Sequence, residues 1–244
     1  MKSIYLLAIL AMTAWCGAAG TAAASILQVE PVVLEFNAPA ASGTLTLRNS
    51  EAVDLAVQTR VFRWVQTDGH ESLEPTTDVA ASPPIVTLAP GEDYTVRVVR
   101  TSNRPVQGEE SYRVWVDQLP DPKRLSQSNV NILIRQSIPV FFRARQTTRP
   151  NVSWSLQLVA GRLVIGGTNA GDERLRVASL RLRDEAGATV SYGNGLVGYV
   201  LGRSSMNFTI TNPPRGFGAR GDVAIAAETN NGPIHATALL QTMP

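Results

Sequence analysis

Residues 129–143, NVNILIRQSIPVFFR, carry the side chains best arranged for molecular recognition in this sequence. Val130, Ile132 and Ile134 recur at every second position, so an extended backbone sets all three on one face. Asn131 and Arg135 fall on the opposite face, with Leu133 interrupting the polar row. That pattern fits two uses. A sandwich strand would bury the three apolar residues in its own core. A strand lent to another protein's unfinished sheet would bury them there instead, with main-chain hydrogen bonds giving adhesion and alternate pockets giving specificity.

Side chains suited to bond-making chemistry are sparse. His70 and His235 are the only histidines and Cys16 the only cysteine. No Glu-x-x-His or paired-histidine spacing exists, so no metal centre is expected. A nucleophile elbow of the G-x-S-x-G type is also missing. Gly193-Asn194-Gly195-Leu196-Val197-Gly198 matches G-x-G-x-x-G, but dinucleotide binding needs that motif between a strand and a helix. Its flanks, ATVSY and YVLGRSS, read as strand and loop. The sequence therefore points to no catalytic residue, no cofactor and no enzyme.

Charge excludes a further class. The formal net charge is +2, and the basic residues stand singly rather than massed. No basic stripe with interleaved aromatics offers a nucleic-acid surface. Lys2 and Lys123 are the only lysines, so almost all positive charge is arginine, whose planar fork suits carboxylates and interfaces.

The elements that must position these residues begin after an export signal. Met1-Lys2 precedes an apolar stretch, residues 4–12, and small residues ending in Ala22-Ala23-Ala24 place a cleavage site before Ser25. Residues 1–24 are thus expected to leave, taking Cys16 with them. No later segment approaches the ~20 apolar residues a membrane span requires. An exported chain with no thiol must be stabilised by its core.

The remainder reads as almost entirely β. Strands are expected at Leu27 to Phe36, Gly43 to Asn49, Asp54 to Trp64, Ile85 to Leu88, Tyr94 to Arg100, Ser111 to Gln118 and Asn129 to Arg143. Turn signals separate them at Pro39, Asp68-Gly69, Pro83-Pro84, Pro90-Gly91 and Pro120-Asp121-Pro122. Seven strands over ~120 residues is the spacing of an immunoglobulin-like sandwich. After Thr147-Thr148-Arg149-Pro150 a second series follows: Trp154 to Val159, Arg162 to Gly166, Leu175 to Arg183, Thr189 to Tyr192, Met206 to Ile210, Asp222 to Ala227 and His235 to Gln241. The expected organisation is one sandwich over 25–147 and another over 148–244.

The order of these features resembles the PapD-like periplasmic chaperones of chaperone–usher pilus assembly. The matching stretches are VVLEF and TLTLRNS (32–36, 44–50), SPPIVTLAPGEDYTVRVVR (82–100), EESYRVWVDQLP (109–120) and NVNILIRQSIPVFFRAR (129–145). Each alone is weakly specific; together, in this order and behind a signal peptide, they are strongly so. The resemblance implies two immunoglobulin-like domains meeting at an angle and a periplasmic location. It also implies a non-enzymatic role: binding, folding and capping pilus subunits that lack a final strand, and delivering them to an outer-membrane usher. By position, residues 129–143 become the donor strand, and Val130, Ile132 and Ile134 the groove-filling residues.

Two family features are altered. An arginine late in the first strand and a lysine in the donor strand usually grip the subunit's terminal carboxylate; here those positions hold Val33 and Pro139. Arg113, Arg135 and Arg145 are candidate replacements, and no spacing argument selects among them. This departure points toward the archaic branch that assembles spore-coat-U-like subunits. Glu110 and Arg143 match a family interdomain ion pair, with Asn230 where the second domain carries an aspartate.

Two other functions compete. A secreted structural subunit or adhesin of two sandwiches would need a free N-terminal extension of alternating apolar residues, whereas Ser25 to Pro31 leads straight into the first strand. A carbohydrate-active sandwich would need facing carboxylates at a cleft, and no acidic cluster or aromatic platform argues for one.

Overall fold

The computed structural model of the chain describes residues 27–121, 132–218 and 221–243. The expected signal peptide and Val130 lie outside the described residues. Eighteen strands and no helix make up the regular structure among the described residues. The chain is an all-β protein of two immunoglobulin-like domains.

The first domain packs two sheets. One has the order β1 (Leu27–Glu30), β3 (Ser42–Asn49), β8 (Asp93–Arg100), β6 (Val79–Ser82). The other runs β2 (Leu34–Asn37), β10 (Arg135–Arg143), β9 (Glu109–Gln118), β4 (Leu55–Thr67), β5 (His70–Pro75), with β7 (Ile85–Leu88) also paired to β4. Alternating residues of both sheets, among them Leu45, Leu47, Val96, Val98, Tyr112, Val114, Val116 and Val140, fill the space between them. This alternation is why the sequence reads as strand: each β-branched or aromatic residue meets the core every second position.

The expected first strand, Leu27 to Phe36, is two strands in two sheets. β1 pairs with β3, and β2 pairs in parallel with β10. Pro31, which has no N–H to give a ladder, stands between them. Asp68 and Gly69 both have positive φ, as a tight two-residue hairpin turn requires, and so join β4 to β5. β5 itself escapes a hydrophobicity reading because its residues, HESLEP, face solvent on nearly every position.

In the second domain β14 (Thr189–Ser191), β13 (Leu175–Arg183), β17 (Asp222–Thr229), β18 (Gly232–Met243), β11 (Val152–Val159), β12 (Arg162–Asn169) and β16 (Ser205–Thr211) follow one another, with β15 (Leu196–Val200) paired to β13. β18 pairs with β17 through Leu239 and with β11 from Leu240, so one long strand connects both halves around a shared core. The glycine-rich run 193–198 ends inside β15, strand rather than helix follows it, and no phosphate cradle forms.

Candidate functional site

β10 is held differently along its length. β9 pairs with it throughout, from Arg135 opposite Asp117 to Arg143 opposite Glu109. On its other side β2 covers only Val140 to Arg143. The ladder to β9 continues one residue before β10, where the Gln118 N–H donates to the Ile134 carbonyl at 3.0 Å. In an antiparallel strand the N–H and C=O of one residue point the same way and those of its neighbours the other. Even-numbered residues therefore bond toward β9, and odd-numbered ones face outward. Consistently, the Arg143 carbonyl, on the outward side, accepts from the Ala38 N–H. Among the described residues no strand lies along the outward side of Arg135 and Ser137. Pro139 is also odd-numbered, so its missing N–H costs the β9 ladder nothing, the situation in which strands tolerate proline.

The side chains sort by the same parity. Ile138, Val140 and Phe142 lie in the core of the first domain. Ile134 and Ile132 continue that row past the end of the sandwich, where Ile134 is half-buried and Ile132 is 76% exposed. Leu133 is 48% exposed, and Val32, just before β2, is 71% exposed. An unpaired strand edge beside exposed aliphatic side chains is a template for another strand.

The outer face of this sheet carries alternating cations and rings. Arg60, Phe62 and Trp64 from β4 meet Arg113, Trp115 and Asp117 from β9. The Arg113 guanidinium lies 3.7 Å above the Trp64 ring and 5.9 Å from Tyr199. Burial pushes it down from the ordinary arginine value, with Glu71 and Tyr199 opposing. Arg113 makes no ion pair or hydrogen bond with another described residue. Arg135, directly opposite Asp117, pairs with that carboxylate and stacks 3.9 Å over Trp115. Arg145 is exposed just beyond β10. These rings and arginines form a period-two pattern in RVFRWV and YRVWVD, a signal legible only once both strands are known to be neighbours.

Glu110 and Arg143 do not pair with each other. Glu110 stands opposite Phe142 and turns inward, where Arg100 donates to both of its oxygens at 2.8 Å and the Tyr112 hydroxyl to one at 3.0 Å. Glu109, one residue earlier, faces the second domain, because successive strand residues alternate faces. There Arg174 Nη1 meets it at 2.5 Å and the Arg174 N–H donates to it at 3.0 Å. Arg174 also pairs with Glu35 and lies 3.5 Å from the Phe141 ring centre. Arg143 does reach the second domain, but its partner is Glu173 at 3.1 Å. Asn230 takes no part in that ion pair; its side-chain amide oxygen accepts from the Arg176 N–H within the second domain.

Apolar packing and backbone bonds complete the junction. Trp64, Phe141, Tyr199 and Leu201 form a buried cluster with Val33 and Leu73 at its margin. Gln66 donates to the Tyr199 carbonyl at 2.9 Å and accepts from the Leu201 N–H at 2.8 Å. The tip of the β4–β5 hairpin docks on β16: Gly69 N–H donates to Ser205 at 3.1 Å and the Gly69 carbonyl accepts from the Asn207 N–H at 2.9 Å. Gly69 has a φ of +80°, which favours glycine, and a Cβ there would stand 2.1 Å from the Asn207 amide and displace it.

Among the described residues no cluster of His, Cys, Asp and Glu suits a metal ion, and no helix is long and apolar enough to cross a membrane. His70 and His235 are both exposed.

Comparison with known proteins agrees with this geometry. Solved structures share the fold over most of the chain. A chain of the CsuC–CsuE chaperone–tip adhesion subunit pre-assembly complex, from archaic chaperone-usher Csu pili of Acinetobacter baumannii, aligns with TM-score 0.67 and 22% identity. That alignment covers 90% of this chain and 100% of the other. The YadV chaperone aligns with TM-score 0.61 and 16% identity over 88% and 99% of the two chains. A chain of the Salmonella enterica SafA pilin–SafB chaperone complex gives 0.57 and 19% over 88% and 98%. No curated protein sequence matches significantly. A family model described as pili and flagellar-assembly chaperone, PapD N-terminal domain, matches residues 26–147. Half of the sequence thus carries that signature, over the very domain that presents the open β10 edge, and the chain belongs to the PapD family of pilus-assembly chaperones.

Proposed function

We propose that this chaperone captures its subunits by lending them the strand that begins before Arg135. The observation that carries the reading is the half-open edge of β10. Among the described residues the outward main-chain groups at Arg135 and Ser137 have no strand partner, and Ile132 and Ile134 extend the core-facing row beyond the sandwich. An incoming sheet that lacks its last strand would pair with those groups and bury the isoleucines, each contributing roughly 1.5–3 kcal/mol. Val130 continues the same parity. The CsuC–CsuE and SafA–SafB complexes, in which chaperones of this fold hold subunits, support the reading.

Arg113 is the residue best suited to hold a subunit's terminal carboxylate. It stands directly opposite Pro139, and cross-strand partners share a face. A cation absent from the lysine's usual position is therefore supplied by the neighbouring strand. Arg135 is already committed to Asp117, and Arg145 has no ring or strand to orient it. The missing basic pair, with the likeness to a Csu-pilus complex, supports an archaic branch. The chaperone would act in the periplasm after export, without cofactor or catalytic chemistry, and pass subunits to an outer-membrane usher.

Co-expression with a strand-deficient pilus subunit tests the proposal. The expected product is a soluble 1:1 complex, with the subunit aggregating when the chaperone is withheld. A chain that polymerises with itself, or a subunit equally soluble alone, would sink it in favour of a structural subunit.

A further inference from the structure

The donor segment leaves the sheet at a place where one carboxylate is held by two arginines. Asp117 ends the outer row of β9 and is 6% exposed. Arg60 donates to one of its oxygens at 2.6 Å and Arg135 to the other. Both guanidiniums lie over Trp115, at 3.9 Å for Arg135 and 5.3 Å for Arg60, and Phe62 packs on that ring 4.6 Å away. Burial alone would raise the Asp117 carboxyl; the hydrogen bonds from Arg135 and Arg60 outweigh it and leave it below the usual carboxylate range. Arg135 is the residue after Ile134, so it is the last side chain fixed to the sheet before the exposed pair Leu133 and Ile132.

We propose that Asp117, acting through Arg135, is a positioning residue that selects which face of the donor segment is offered: Ile132 and Ile134 rather than Leu133. The inference rests on the donor-strand reading above. A strand repeats every two residues, so a slip of one position exchanges its faces. Such a slip would carry Arg135 away from Asp117 and Trp115, leaving a buried carboxylate with half its partners. Pro139 guards the same register independently, because a one-residue shift would turn its missing N–H into the β9 ladder.

Amide hydrogen exchange on the free, full-length mature protein reads the register without any ligand. In the wild type the amide of Gln136, paired with Val116 of β9, should exchange slowly, and those of Leu133, Arg135 and Ser137 rapidly. In Arg135→Gln, whose site is half exposed, this alternation should collapse, with Gln136 exchanging at least tenfold faster and the melting temperature little changed. Asp117→Asn should act in the same direction, and Arg135→Lys should restore part of the protection. Capture of the subunit that the wild type keeps soluble supplies the second readout. Ile132→Ser or Ile134→Ser should weaken capture in the wild type and Leu133→Ser should not; in Arg135→Gln that preference should fade. If Ile132→Ser and Ile134→Ser leave wild-type capture intact, the donor reading falls and this proposal with it. If those serines matter but Arg135→Gln and Asp117→Asn keep both the exchange alternation and the 132/134 preference, this proposal alone is overturned.

Discussion

The two halves of β10 are one strand under two regimes. From Val140 to Arg143 it is flanked on both sides, by β9 and β2, and Phe141 and Phe142 are buried on opposite faces. One ring joins the sandwich core and the other the interdomain cluster. Before Pro139, among the described residues, only β9 accompanies it, and beyond Ile138 the aliphatic row emerges into water, with Ile134 half-buried and Ile132 exposed. The same alternation of apolar residues thus builds the core at one end and leaves aliphatic side chains exposed at the other. What decides is which neighbours the topology provides.

Aspartate at both Ile132 and Ile134 should break the comparison most sharply. Capture of the subunit should be abolished, since each charge would enter an apolar groove unpaired at a cost of several kcal/mol. The free protein should melt close to wild type, because Ile132 is exposed and Ile134 only half-buried. If the double variant melts far below wild type, these residues belong to a core and the distinction between the two halves disappears.

The converse change lies at Phe142. It stacks with Phe36 at 4.8 Å and meets Tyr112 edge-on at 6.0 Å. Phe142→Ala should destabilise the free protein by about 3–5 kcal/mol, read from chemical denaturation. Preserved stability there would mean that the half flanked by β2 is no more structural than the open half.

A smaller effect is expected from Arg113→Ala. Loss of a charge-assisted hydrogen bond to a terminal carboxylate should weaken capture by roughly 1.5–3 kcal/mol. Amidating the subunit's C-terminus should give the same loss in the wild type and no further loss in the variant. Additive losses would place the anchor elsewhere.

The smallest is a pH effect. Asp172 is held at about 2 by hydrogen bonds from the Thr148 hydroxyl and N–H and from Arg203. Asp117 and Asp78 are likewise lowered. A carboxyl lowered on folding stabilises fully above its unfolded value of ~4 and loses that contribution as pH falls through the folded one. Stability should therefore decline between pH 4 and 2, and Asp172→Asn should flatten that slope. The flanked half of β10 is held by apolar groups, so its amide protection should outlast that of Gln136 on acidification.

Much of this molecule was legible in its residues. β-Branched alternation located most strands, and Asp68-Gly69 announced the β4–β5 hairpin through its demand for positive φ. The segment proposed as donor stood out for the same periodic reason. Parity was harder. Glu109 and Glu110 differ by one position, yet that step separates the second domain from the core of the first, and only the register with β10 decides between them. Arg174 lies far away in sequence, in the turn before β13, and nothing local marks it as the partner of Glu35 and Glu109. The polar β5 gave no apolar signal, and the division at Pro31 is a choice of sheets, which propensity does not encode.

The proline at 139 also bears on release. It removes an outward donor where β2 begins to cover the strand, so under the proposed capture an incoming chain would find outward N–H groups only at Leu133, Arg135 and Ser137 within the described segment. At about 0.5–1.5 kcal/mol net per hydrogen bond, that ladder is worth a few kcal/mol at most. The remaining grip would then come from side chains seated in the subunit's pockets, which can be vacated one after another. A competing strand could thus displace this one stepwise from an end, and the limited ladder keeps the barrier to that exchange low.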